Sequence, residues 1–313
     1  MRRSGAYVLV ALGLIAVFLA PLAKFYVIPR VKKIPTDYYF RAVSVGTASY
    51  LDPSHGFAVV GPVRIENIHL VKGDPAASSR SVAVWDSFDS TFDVDNRHEL
   101  SYAIDRYTFD RTSALGVACC GQNEDRAGDL SLLMPIGVEK RTYPRFWDST
   151  AKRAFPLVYR ATESLDGLAV YRYHQHVDPM QIDTLTLPGQ LVGKPDQPSV
   201  TLRWMYTADT DVWAEPVTGA IIQATQKADQ WLADDAGTRV LTIATTDIGQ
   251  TPDTVRRIVD TVSPQRARLQ VLQVWLPAVG PVVGLLLVLL GITMGGGIAR
   301  ERVGAAPVQR VPG

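Results

Sequence analysis

The sequence predicts an α+β membrane protein: N- and C-terminal transmembrane helices bracket a large, mainly antiparallel β domain outside the cytoplasm, with helices at its membrane end. Three observations predict it. The stretch Val274 to Ile298, VWLPAVGPVVGLLLVLLGITMGGGI, carries no charge. A second apolar run, Gly5 to Ala23, follows Arg2 and Arg3. Between the two, apolar and polar residues alternate in short runs separated by turn residues.

The C-terminal run is long enough to cross a hydrocarbon core of ~30 Å as a helix. Core helices of soluble proteins rarely run so far without one polar face. Pro277, Pro281 and Gly295-Gly296-Gly297 weaken helicity, but membrane helices tolerate such residues. The N-terminal run also has the shape of a signal peptide. It is long for one, however, and a cut after Ala23 or Ala20 would put Pro21 or Phe18 at the minus-three position. An uncleaved anchor is therefore expected.

The expected organisation is a cytoplasmic N-terminus at 1–4, a span at 5–23, a β-rich domain at 24–273 with a helical connector at 252–273, a span at 274–298 and a cytoplasmic tail at 299–313. Basic residues flank both sides of the spans, so the charge rule does not decide orientation. A signal-like first segment places the middle outside the cytoplasm and the protein in the cell membrane as a two-span chain.

The chain has 313 residues, 47% hydrophobic and 20% charged, with net charge +1. That balance excludes a nucleic-acid partner. Membrane lipids and other envelope proteins are the partners to expect.

In chain order, strands are expected at Tyr38 to Val45, Phe57 to Val71, Ser81 to Phe88, Ser90 to Asp95, Leu100 to Asp110 and Ala114 to Ala118. More follow at Ala154 to Thr162, Leu168 to Val177, Val200 to Thr207, Val212 to Glu215, Ala220 to Ala228 and Arg239 to Asp247. Asp166-Gly167 suits a two-residue type I′ hairpin. Asp52-Pro-Ser-His-Gly56 and Glu215-Pro-Val-Thr-Gly219 share an acid-Pro-x-x-Gly pattern, in which Pro presets φ and Gly supplies a positive one. Asp110-Arg-Thr-Ser113 is a shorter relative. Asp178 to Pro198 reads as a long surface loop. Thr251-Pro252 starts a helix whose apolar face is Val255, Ile258, Val259 and Val262, and Ser263-Pro264 repeats the start signal.

Few constellations carry chemistry. His174 and His176 project from one strand face and offer two metal ligands, but no third is identifiable, so no metal is expected. Asp93-x-Asp95-Asn96 and Asp209-x-Asp211 resemble pieces of calcium loops without the Gly and Glu that complete one, and read as solvated turns. The only cysteines, Cys119 and Cys120, are adjacent. A vicinal disulfide and a pair of free thiols both remain open. No phosphate-binding Gly loop, nucleophile elbow or His-Glu-x-x-His occurs, so no catalytic residue, no cofactor and no enzyme activity are expected.

Asp110-Arg-Thr-Ser with Cys119-Cys120-Gly121, Glu139-Lys-Arg-Thr-Tyr-Pro with Trp147-Asp148, Glu163-x-x-x-Gly167-Leu-Ala-Val-Tyr171-Arg-Tyr173 and Glu215-Pro-Val-Thr-Gly219, together with the two terminal runs, resemble the actinobacterial porin PorA family. Ser113 stands where that pattern has Gly. The resemblance implies a pore. A spanning barrel needs strands of ~9–11 residues with an apolar outer band. The strands here read mostly shorter, which leaves anchorage to the helices. Glu163, Gly167, Tyr171, Arg172 and Tyr173 are also similar to a segment of the scavenger-receptor class B family, which implies a lipid tunnel in the β domain.

Binding or transfer of a lipid or other hydrophobic ligand by the β domain is the leading expectation. A porin-like pore and a non-catalytic envelope scaffold or sensor are the alternatives. Both faces of Tyr159 to Tyr173 and of Trp204 to Trp213 carry apolar side chains, so each needs a second layer or a lipid.

Overall fold

In the computed structural model, which describes residues 2–22, 25–26 and 28–303, every named strand joins one ten-stranded antiparallel half-barrel. The strands are β1 Tyr39–Asp52, β2 Ala58–Gly73, β3 Val82–Asp93, β4 His98–Asp110, β5 Tyr143–Asp148, β6 Arg153–Leu165, β7 Leu168–Leu187, β8 Val200–Ala214, β9 Ile221–Ala233 and β10 Arg239–Gln250. Helices α1 Arg2–Leu22, α2 Ile28–Val31, α3 Pro252–Gln270 and α4 Leu276–Val303 complete the chain. The chain separates into a helical unit, Met1–Lys33 with Arg266–Gly313, and a β unit, Ile34–Gln265. The tail past Val303, and Ala23 at the end of the first apolar run, lie outside the described residues.

The strand order is β4-β3-β2-β1-β10-β9-β8-β7-β6-β5, two meanders joined where β1 meets β10. Gly46 makes that seam. A Cβ there would lie 1.9 Å from the Asp247 carbonyl oxygen, so only glycine lets the strands approach.

Nine of the strands run 12–20 residues, which corrects the expectation of mostly short ones. Ser81 to Phe88 and Ser90 to Asp95 form the single strand β3, and Val200 to Thr207 continues through Val212 as β8. β7 runs on to Leu187 through a bulge between Val177 and Met180, so the loop expected from Asp178 begins only at Pro188. Pro179 sits in that bulge, where it costs no ladder hydrogen bond. The six-residue edge strand β5 was not expected at all. Ala114 to Ala118 is not a strand; Gly116 alone bridges to Phe109 and Ala127.

The turn chemistry follows the sequence closely. Asp52 Oδ1 accepts from the Ser54 N–H at 2.8 Å, and Gly56 has φ 68°. Glu215 Oε2 accepts from the Val217 and Thr218 N–H groups at 3.1 and 2.7 Å, and Gly219 has φ 78°. Asp110 Oδ1 accepts from Thr112 and Ser113 at 2.9 and 2.8 Å. In that turn Ala114 takes the positive φ of 64°, so Ser113 needs no glycine conformation. Asp166 and Gly167 both have positive φ, as a type I′ turn requires.

One face of the sheet, here the inner face, buries Val71, Trp85, Tyr107, Phe109, Leu157, Tyr173 and Val212 against the 111–142 segment, whose Leu130, Leu133, Met134 and Val138 fill that end. On the outer face, α3 lays Val255, Ile258, Val259 and Val262 over Leu168, Val170, Trp213 and Ile222. Each fully buried aliphatic side chain contributes up to about 1.5–3 kcal/mol. Thr251 caps α3, accepting from the Thr254 N–H at 3.2 Å, while Thr254 ties the helix to Val43. Pro264 lies inside α3, so the expected second helix start there is corrected to one continuous helix.

These two layers answer the question left by Tyr159 to Tyr173 and Trp204 to Trp213. Tyr159, Tyr171, Tyr173 and Val212 pack on the 111–142 segment, and Leu168, Val170 and Trp213 pack under α3. Trp204 and Tyr206 pack in two further clusters of the sheet, so protein side chains meet the apolar groups of both segments without a lipid.

In the helical unit α1 packs on α4 through small residues. Ala6, Gly13, Gly284 and Gly291 are buried, and a Cβ on Gly13 would lie 2.5 Å from the Gly284 carbonyl oxygen. Around this seam the large side chains are exposed, among them Phe18 and Leu19 of α1 and Leu285, Leu286 and Leu289 of α4. Small-residue seams with apolar exteriors are how helices associate in lipid. Among the described residues Pro277–Met294 is the one stretch long and apolar enough to span; the apolar part of α1, Gly5–Leu19, is shorter.

Candidate functional site

The inner wall changes character along the strands. At one end it is the apolar cluster closed by the 111–142 segment. At the other, Leu187, Val200, Leu202 and Leu232 form a second apolar cluster with Phe57 against it. Between them the wall is mixed: Ala48, Val63 and Ile65 form one apolar patch with Ile248; Val177, Tyr206 and Ala208 form another; and small and polar residues lie among them. Strand alternation puts Asn67 and His69 on the face of Val71, and Ser87, Asp89 and Thr91 on the face of Trp85. Asn67, Ser44 and Gln250 lie side by side across β2, β1 and β10. The next row runs Gly46, Ile248, Gln226, Thr210 and Gln175.

These polar groups bond to one another. Asn67 Nδ2 donates to Asp89 Oδ1 at 2.7 Å and to Thr91 Oγ1 at 3.1 Å. His69 Nε2 and Ser87 Oγ are 2.8 Å apart, and Gln226 Nε2 donates to Thr210 Oγ1 at 3.1 Å. Ser44, Asn67, Asp89, Thr210, Gln226, Thr246 and Gln250 are all half-buried, so the trough floor is reached by solvent. Burial holds the His69 pKa below its ordinary value, which keeps the ring neutral. Asp89 brings a carboxylate to this wall, and among the described residues no Lys or Arg forms an ion pair with it.

The edge strands β4 and β5 do not pair with each other. The 111–142 segment spans the gap at one end through bridges from Gly116 to Phe109 and Ala127 and from Leu130 to Phe146. Arg126 locks this clasp. Its guanidinium is 2.8 Å from Asp105 and lies over Tyr107, 4.1 Å from the ring centre, with Trp147 of β5 on another side. Gly219 seats the segment from across the barrel: a Cβ there would lie 2.2 Å from the Met134 carbonyl oxygen. Cys119 and Cys120 lie in the same segment, bonded to each other, with Cys120 at φ 61°.

Four of the polar residues singled out in the sequence, His174, His176, Asp209 and Asp211, fall outside the trough. His174 and His176 are on the outer face of β7, and Asp211 and Asp209 stand directly opposite them on β8. The Asp209-x-Asp211 pair is therefore in mid-strand, correcting its reading as a turn. Asp93 does cap a turn, accepting from the Asp95 and Asn96 N–H groups at 2.9 Å each, while Asp95 pairs with Arg64. Asp209 beside the ring holds the His176 pKa above its ordinary value. With Arg172, Lys227 and Asp247, these residues give the outer face of β7–β10 a charged stretch beside the apolar patch that α3 covers.

Sequence comparison adds the decisive observation. The family model described as Porin PorA matches residues 5–293. The chain belongs to the porin PorA family. A relative named Porin PorA, from Corynebacterium amycolatum, is 23% identical over 307 residues, covering 75% of this chain and 79% of its own length. The match to the porin PorA model takes in both the β unit and most of α1 and α4, so the apolar helices belong to the family's pattern as much as the sheet does.

Proposed function

We propose that the chain is a porin-like, pore-forming protein of the cell envelope, held in the membrane by α1 and α4, with the polar trough of the half-barrel as part of its aqueous path. The polar side chains of the inner wall carry this reading. A carrier of lipids needs a mainly apolar lining with few polar groups. A path for hydrophilic solutes needs polar groups within reach of water along its wall, as the half-buried Ser44, Asn67, Asp89, Thr210, Gln226 and Gln250 provide. Membership of the porin PorA family and the name of the relative support the same reading.

The charged stretch on the outer face of β7–β10 argues against a sheet surrounded by lipid. The trough is then a vestibule, and lipid contact falls first to the exposed apolar surface of the helices, although Phe88, Tyr102 and Ile104 of β3 and β4 are exposed as well. With α1 and α4 both inserted, the β unit lies on one face of the membrane, outside the cytoplasm. The test is conductance of the purified full chain in a planar bilayer, with Asp89→Asn as the variant that reports on the trough.

A further inference from the structure

We infer that the outer face of β7 and β8 is a binding site for one divalent transition-metal ion, with His174, His176 and Asp209 as ligands and Zn²⁺ as the fitting probe. The antiparallel register sets His176 opposite Asp209 and His174 opposite Asp211. One ligand atom from each of His174, His176 and Asp209 lies within 4.8 Å of the others. His174 Nε2 is 3.3 Å and His176 Nδ1 2.8 Å from the same oxygen, Asp209 Oδ1. Tetrahedral Zn²⁺ with bonds of ~2.0–2.1 Å holds its ligand atoms roughly 3.3 Å apart, so small rotamer adjustments suffice.

The second nitrogen of each ring points the same way. His174 Nδ1 is 3.2 Å from Asp211 Oδ1, and His176 Nε2 is 3.3 Å from Asp178 Oδ1. Each imidazole thus has one nitrogen turned to Asp209 and the other held by its own carboxylate. That carboxylate–histidine arrangement fixes tautomer and ring orientation in metal centres. Asp211 is itself held by Arg172 at 2.9 Å, which keeps it aimed at His174. Two imidazoles and one carboxylate suit Zn²⁺, Co²⁺ or Ni²⁺; Ca²⁺ and Mg²⁺ want oxygen ligands in greater number. His176 and Asp209 are exposed, so a fourth position is open to water or to a ligand from another molecule.

The test uses the tag-free full chain in detergent. Calorimetric titration with Zn²⁺ should show one equivalent bound, and Co²⁺ should give the visible absorption of a tetrahedral site. His176→Ala and Asp209→Asn should each abolish both signals, while Asp211→Asn, a positioning change, should weaken Zn²⁺ binding about 10–100-fold. Melting curves of the metal-free variants, matching the parent protein, establish that they are folded. No binding by the parent protein overturns the inference, as does binding that survives His176→Ala.

Discussion

Buried Arg126 and half-buried Asp105 form an ion pair, 2.8 Å apart, between the 111–142 segment and the inner face of β4. The guanidinium is almost wholly enclosed, with Tyr107 and Trp147 on its faces. One arginine therefore fastens the clasp that joins the two edges of the half-barrel. Asp105 is 20% exposed and keeps a hydrogen bond from Asn123 Nδ2 at 2.9 Å, so losing the arginine costs less than breaking a fully buried pair, about 1.5–3 kcal/mol for a hydrogen bond to a charged group. Arg126→Ala should lose that much stability, read as a lower denaturant midpoint, and should expose the 115–130 backbone to faster hydrogen exchange. An exposed-pair loss of under about 1 kcal/mol would show that the clasp carries no load.

The helical unit makes its own prediction. Gly13 and Gly284 let α1 and α4 touch backbone to backbone, and a larger side chain has nowhere to go. Gly284→Leu should speed hydrogen exchange of α1 amides in detergent while leaving exchange in β1–β10 unchanged. Unchanged exchange in α1 would mean that the helices do not depend on this seam.

A pH dependence follows from Asp52 at the β1–β2 turn. Hydrogen bonds from Ser54, with further help from His55, lower its pKa from 3.8 to about 2. A carboxyl whose folded pKa is depressed stabilises fully above its unfolded value and loses that contribution as pH falls through the folded one. The melting-temperature gap between the parent protein and Asp52→Asn should be constant above about pH 4 and close toward pH 2. A gap that persists at pH 2 would place the effect in the shape of the turn rather than in the charge.

For the cysteines, a non-reduced peptide containing Cys119 and Cys120 should be two hydrogens lighter than its reduced form. Alkylation of both thiols without prior reduction would show that they are free.

Much of this architecture was legible because its causes are local. Asp52, Glu215, Asp110 and Asp166-Gly167 mark turns through bonds within four residues of themselves, and Val255, Ile258, Val259 and Val262 show their shared face by spacing alone. What escaped was set by pairing across the chain. β7 looked finished at Asp178-Pro179 because a bulge hides the continuation, and β5 is short and interrupted by Pro144. His174-x-His176 lacked a third ligand because Asp209 is supplied by register, not by nearness in sequence. The inner and outer faces of Tyr159 to Tyr173 could not be told apart, since both are apolar, and only the positions of α3 and the 111–142 segment separate them. The polar trough escaped for the same reason: Ser44, Asn67 and Gln250 become neighbours only once β1 has paired with both β2 and β10.

If hydrophilic solutes pass along the polar side chains of the inner wall, single-channel recording of the full chain in a planar bilayer will register it. Discrete conductance steps are expected, with a preference for cations because Asp89 brings a carboxylate to the wall, and Asp89→Asn should move the reversal potential in a salt gradient toward zero. A bilayer that stays silent although the protein is shown to have inserted, or steps whose selectivity ignores Asp89→Asn, would contradict the account.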